Sequence, residues 1–142
     1  MLNYFISLPE IRNTVRYAYQ FSITSKRNYY GLQGEKYGIF GAAHMDDLMY
    51  LFDPKSLNMV SDRNSTEFQL VDQVTTIFTD FAIYGNPTHS SESEPDVTWP
   101  LFDNKTLQYL DIGNSKLTAS SLVGDDRFNF WEQFYSSTGM YI

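Results

Sequence analysis

Between Glu67 and Tyr84 the apolar residues Phe68, Val71, Val74, Ile77, Phe78, Phe81 and Ala82 recur at steps of three and four. That spacing lines them along one face of an amphipathic helix, and such a face must be buried against another element. Thr66 followed by Gln69 fits a capping box at the helix start, and Gly85 stands where a left-handed residue ends a helix. Asn86-Pro87 then prevents continuation. A different period earlier in the chain restricts what this face can meet. From Arg16 to Ile23, Tyr17, Tyr19, Phe21 and Ile23 alternate with Arg16, Ala18, Gln20 and Ser22, the pattern of an aromatic-rich β-strand. Leu107, Tyr109, Leu110 and Ile112, closed by Gly113-Asn114, predict a second strand.

Around these three segments the remaining signals are shorter. Ser7-Leu8-Pro9-Glu10 predicts a brief helix ending near Val15, since proline near the first helical position and an early acid suit a helix start. Ser25 to Tyr37 is polar, contains Gly31 and Gly34 and shows no period, which predicts a loop; Thr88 to Asp96 predicts another. Asp125-Asp126 opens a last helix expected to turn Phe128, Trp131, Phe134 and Tyr135 toward the core. No repeat is present. The order of elements implies an α/β fold, a mixed sheet flanked by helices, rather than a bundle or a sandwich.

Composition removes several functional classes. The chain has no Cys, so no disulfide framework holds it, and 42% hydrophobic against 19% charged residues is too apolar for a disordered tail. Residues 1–43 carry five basic and two acidic groups, whereas 44–142 carry five basic and fifteen acidic ones. That balance repels phosphate backbones and argues against nucleic acid as a partner. No run of 18 apolar residues occurs, so no membrane span is expected, and Met1 to Pro9 lacks the basic start of a signal peptide.

Two histidines could do chemistry. His89 lies in the polar loop, which offers neither orientation nor exclusion of water, and reads as incidental. His44 follows the glycine-containing turn Gly41-Ala42-Ala43 and precedes Met45-Asp46-Asp47-Leu48. By itself it is either a satisfied loop histidine or a general base. His44, Asp46 and Asp47 together make a poor metal cluster, because only one His is at hand; no metal and no cofactor are expected. Asp46 reads as a loop acid, and Asp47 as an acid orienting polar neighbours. No Gly-x-Ser-x-Gly, dinucleotide fingerprint or P-loop occurs, so a base is present without its nucleophile. Asn64-Ser65-Thr66 and Asn104-Lys105-Thr106 are glycosylation sequons, about as many as chance supplies.

At His44 the residues resemble a known family. Gly41-Ala42-Ala43-His44-Met45-Asp46-Asp47-Leu48-Met49-Tyr50-Leu51-Phe52 is similar to the catalytic-histidine segment of type-B carboxylesterases, most closely the insect members. Tyr19-Gln20-Phe21 resembles the strand before that segment, and Phe78 to Pro87 the helix ending in Gly-Asn-Pro. Trp99-Pro100-Leu101-Phe102-Asp103 with Tyr109 to Gly113 resembles the family's Trp-Pro and strand segment, and Arg127 to Tyr135 its closing helix. Each motif is weak; five in the same order are specific.

The resemblance implies an α/β-hydrolase fold whose triad runs Ser, Asp or Glu, then His. It implies that residues 1–142 are the C-terminal segment of a type-B domain, incomplete in itself and dependent on an N-terminal part carrying nucleophile and acid. His44 would be the general base, Asp47 a supporting acid, and the substrate a small carboxylic ester. Met45 departs from the Gly or Ala that commonly follows the histidine, and would narrow the pocket or alter substrate choice. Family members are often secreted, a setting in which Asn64 and Asn104 would accept glycans. The aromatics would in part be surface meant for absent strands and helices, and the Arg16–Ile23 strand would keep an open edge. An inactive cholinesterase-like adhesion module and a non-functional truncated product are the alternatives; the presence of His44 favours the esterase.

Overall fold

The computed structural model describes residues 14–57, 59, 62–89 and 97–139. Strand β1 (Tyr19–Phe21) lies beside β2 (Gln108–Ile112), and β2 lies beside β3 (Leu117–Ser121). The first pairing is parallel, with Tyr19 opposite Leu110 and Phe21 opposite Ile112; the second is an antiparallel hairpin with Leu110 opposite Ala119. The sheet is therefore mixed, as expected. Tyr17 bridges Leu101 just before β1, and Ser22 continues the ladder by donating to the Ile112 carbonyl. Beyond it, the Asn114 side chain holds both the N–H and the C=O of Thr24 at 2.7 Å, which turns the chain out of the sheet. The predicted eight-residue strand is thus three residues of ladder with bonded flanks.

Helices flank this sheet. Short helices α1 (Gly31–Glu35) and α2 (Leu48–Leu51) and a 3₁₀ turn (Lys55–Leu57) precede α3 (Thr66–Tyr84), and α4 (Asp126–Thr138) closes the described chain. The long amphipathic helix forms where expected and ends on Gly85 in the left-handed conformation at φ 67°. Its cap is one residue earlier than predicted: the Ser65 hydroxyl, not that of Thr66, accepts from the Phe68 N–H at 3.1 Å. Leu70, Val74 and Ile77 are its buried residues, and they join Ile23, Tyr50, Trp99, Leu110 and Ile112 in one core. Trp99 sets the boundary of that core. Its indole N–H donates to the Ala18 carbonyl, and its ring meets Tyr17, Tyr19 and Phe78 edge to face.

Several expectations are corrected. Phe81 and Ala82 are exposed rather than buried. A 19-residue helix is about 28 Å long whereas strands of three to five residues span about 10–17 Å, so the last turn outruns the sheet. Ser25–Tyr37 is not all loop, because α1 forms inside it on hydrogen bonds described below. Gly113-Asn114 begins a hairpin, and its second strand β3, Leu-Thr-Ala-Ser-Ser, has one large apolar residue and so gives little strand signal. Helix α4 starts as predicted, the Asp125 carboxylate accepting from the Phe128 N–H, yet none of its residues is buried. Phe130, Trp131 and Phe134 are 41–60% exposed, and among the described residues the ring contacts of Trp131 and Phe134 are with one another and with neighbours on the same helix. The brief helix predicted from Pro9 falls mostly outside the described residues, and Thr14 and Val15 are not helical.

Candidate active site

Two segments, the one leaving β1 and the one entering α2, meet at Asp46. This residue is fully buried. Its Oδ1 accepts from the Tyr30 N–H at 2.8 Å, and its Oδ2 from the N–H groups of Gly31 at 3.0 Å and Ala43 at 2.8 Å and from Asn28 Nδ2 at 3.3 Å. A buried carboxylate is costly unless such donors compensate it, and here four do. The Asp46 N–H also donates to the Ala43 carbonyl, so the turn carrying His44 is closed on both sides by one residue. Gly31 is required by this arrangement: a Cβ there would lie 2.5 Å from the Gly41 carbonyl oxygen and 2.8 Å from Asp46 Oδ2. The start of α1 is held by Asp46 rather than by apolar burial, which explains its silence in the hydrophobic pattern.

Asn28 extends the network into the core. Its amide nitrogen donates to the Ile23 carbonyl, and its oxygen accepts from the Tyr50 hydroxyl at 2.7 Å and from the Ser25 N–H. Tyr50 also shares a 2.7 Å hydrogen bond with the Ser25 hydroxyl. Burial, partly countered by the Ser25 hydrogen bond and the Arg27 charge, pushes the Tyr50 phenol up to about 12. Residues 23, 28, 46 and 50 thus clamp the His44 turn onto the end of β1.

Outside this clamp the functional candidates face a cleft of about 670 Å³. The five successive residues Tyr17 to Phe21 line it, together with Ala43, His44, Met45, Asp47 and Leu48 from the segment entering α2 and with Tyr109 and Leu122. His44 is exposed at its rim. Asp47 sits at the N-cap of α2 but makes no side-chain cap bond; its carboxylate instead accepts from the Tyr19 hydroxyl at 2.8 Å. Burial, then that hydrogen bond and the negative charge of Asp47, hold the Tyr19 phenol protonated well above its ordinary range. Met45 adopts φ 73°, a left-handed conformation that costs a residue with a side chain about 1–2 kcal/mol relative to glycine. The departure from a small residue noted at this position therefore falls where glycine is favoured.

His44, Met45 and Asp47 are thus brought to one cleft. Asn64 and Asn104 lie elsewhere, both exposed, Asn64 just before α3 and Asn104 accepting from Arg16 at 3.4 Å. His89 is exposed and its ring stacks on Tyr84 at 3.9 Å. Sequence reasoning missed Asn28 and Tyr19 as partners of Asp46 and Asp47, and took Asp46 for an ordinary loop acid. The one signal available was the coincidence of an Asn and two glycines in a segment otherwise without pattern. Among the described residues no Ser, Thr or Cys lines the cleft, and no group of three His, Asp or Glu lies close enough to hold a metal. Nor is any described helix long and apolar enough to cross a membrane.

A parallel strand pair extended by an antiparallel hairpin, helices against it, and a histidine turn clamped beyond one strand's C-terminal end make this part of an α/β-hydrolase fold. Solved structures agree: the esterase from anaerobic Clostridium hathewayi, described as hydrolysing aliphatic aromatic polyesters, superposes with a TM-score of 0.56 at 17% identity, over 82% of this chain and 21% of that one. The carboxylesterase family profile matches residues 4–131, and the chain belongs to that family. It spans about a fifth of the length of the esterase it superposes on. No curated protein matches it at comparable stringency.

Proposed function

We propose that this chain is the C-terminal segment of a type-B carboxylesterase domain and supplies the catalytic histidine of a serine esterase. The observation that carries the reading is the placement of His44, exposed at the rim of the cleft on a turn clamped by a buried carboxylate, within the family-matched residues. In the reaction His44 takes the proton of a serine hydroxyl as its oxygen attacks the ester carbonyl. The resulting imidazolium returns that proton to the departing alcohol, leaving an acyl-enzyme. Water then repeats the sequence, releasing the carboxylic acid and restoring the serine. Positioned proton transfer of this kind contributes about 10²–10⁴-fold and requires a nucleophile and oxyanion donors beside it. Those groups belong to polypeptide N-terminal to this segment. Asp47 supports the site by fixing the start of α2 to β1 through Tyr19, and Met45 shapes its wall. Asn64 and Asn104, both exposed, are the glycan acceptors if the protein is secreted.

The test mixes this chain with the N-terminal remainder of a type-B carboxylesterase lacking its own histidine segment. The expected result is serine labelling by a fluorophosphonate and hydrolysis of 4-nitrophenyl acetate, both lowered by about 10²-fold or more in His44→Ala. Near-normal activity of that variant would remove His44 from the mechanism. Saturable, His44-dependent hydrolysis by this chain alone would show that the nucleophile is not supplied from outside.

A further inference from the structure

Among the described residues two with side chains hold a left-handed backbone, Leu107 at φ 46° and Met45 at φ 73°. Leu107 is 9% exposed, so the apolar area it buries offsets the strain. Met45 is 40% exposed and lines the cleft instead. Strain that burial does not offset clusters where a side chain serves a site. The thioether of Met45 also differs from those of the other described methionines. Met49 lies in the core at 8% exposure and Met59 packs against that core partly buried, so Met45 is the most exposed of the three.

From these placements we propose that Met45 is an oxidative modification site: hydrogen peroxide converts its thioether to the sulfoxide, and the modified side chain lowers the activity of the cleft beside His44. In the step a sulfur lone pair attacks one peroxide oxygen. The S–O bond forms as the O–O bond breaks, sulfur gives up two electrons, and the departing hydroxide takes the proton of the transferred oxygen and leaves as water. A methionine sulfoxide reductase reverses the change, two thiols becoming a disulfide while the sulfoxide oxygen leaves as water. In any assembly in which an ester reaches His44, a molecule as small as peroxide reaches the residue next to it. For its consequence the inference rests on the functional reading above. Tyr17, Phe21, Leu48 and Leu122 line the same cleft. A sulfoxide sets a strong dipole and acceptor among these largely apolar walls, which disfavours an apolar group of the ester there. A glycine or alanine at this position would give the cleft no such sensitivity.

Peptide mass spectrometry of the full chain after limited treatment with hydrogen peroxide tests the site without any esterase readout. In the folded chain Met45 should gain one oxygen about tenfold faster than Met49 and Met59, and in concentrated urea all three should react alike. Equal rates in the folded chain overturn the inference. The consequence is read by mixing the oxidised chain with the N-terminal remainder of the esterase. Its kcat/KM for 4-nitrophenyl acetate should fall at least about fivefold, the lower end of what an unpartnered polar group costs in an apolar site, and should recover after reductase treatment. Met45→Leu, treated alike, should keep the kcat/KM it has untreated. Full activity of a chain oxidised at Met45, or an equal loss in Met45→Leu, overturns the control of activity by this residue. Selective oxygen uptake at Met45 together with an unaltered His44→Ala activity would keep the modification site and discard the role of His44.

Discussion

Replacing Asp46 by Asn should destabilise the chain by about 2–3 kcal/mol, and replacing it by Ala by about 4–5 kcal/mol. The figures follow from the four donors that converge on its carboxylate. Asparagine best keeps its oxygen at the Oδ2 position, where three donors arrive, and then turns its own NH₂ toward the Tyr30 N–H. One hydrogen bond to a charged acceptor is lost, worth about 1.5–3 kcal/mol, and the other three become neutral and weaker. Alanine deserts all four donors. Those of Tyr30 and Ala43 are partly exposed and regain water, whereas those of Gly31 and Asn28 are buried. Their unmet desolvation, at about 1–3 kcal/mol each, dominates the larger figure. Urea unfolding measures both values, with an unchanged m as the sign that the folded surface is the same. Hydrogen exchange adds a positional check: in Asp46→Asn the Tyr30 amide should lose protection before those of Gly31 and Ala43. A variant within about 0.5 kcal/mol of the native chain would refute the clamp, since surface substitutions alone produce changes that small.

Gly31→Ala should cost about 2 kcal/mol by the same assay, because the new Cβ meets the backbone oxygen of Gly41 rather than a movable side chain; an unchanged midpoint would show that the two segments separate freely. Met45→Gly should stabilise by about 0.5–1 kcal/mol, the relief of the left-handed conformation less the entropy glycine adds to the unfolded chain, and a loss of stability would mean that the Met45 side chain contributes packing. Tyr50 holds its proton more tightly folded than unfolded, so its stabilising contribution is complete below pH 10 and is lost as pH rises toward about 12. Phenolate absorbance should show a component that ionises only as the pH approaches about 12 and is lost in Tyr50→Phe, which should also flatten that alkaline decline; titration of Tyr50 near pH 10 would contradict its burial.

Three kinds of information are carried unequally by the residues. Local chemistry was legible: the α3 period, Gly85 as a helix stop and the Asp125 cap are decided within a few positions of one another, and all three occur. Polar long-range contacts were not. Asp46 and Asn28 are 18 residues apart, and no spacing rule links a carboxylate to the amides of a helix it starts from another segment. The same holds for Tyr19 and Asp47, 28 apart, so the support of the His44 turn became visible only in three dimensions. Apolar periodicity falls between the two. It records that a face is hydrophobic without saying what covers it. Leu70, Val74 and Ile77 meet the sheet, but Phe81 at the end of α3 and Trp131 and Phe134 on α4 remain largely exposed despite equally good spacing. A hydrophobic stripe is therefore evidence for a core position only when a facing surface is also present. In this chain the facing surface ends with three short strands, and the stripes that continue past it mark where sequence pattern and described structure part.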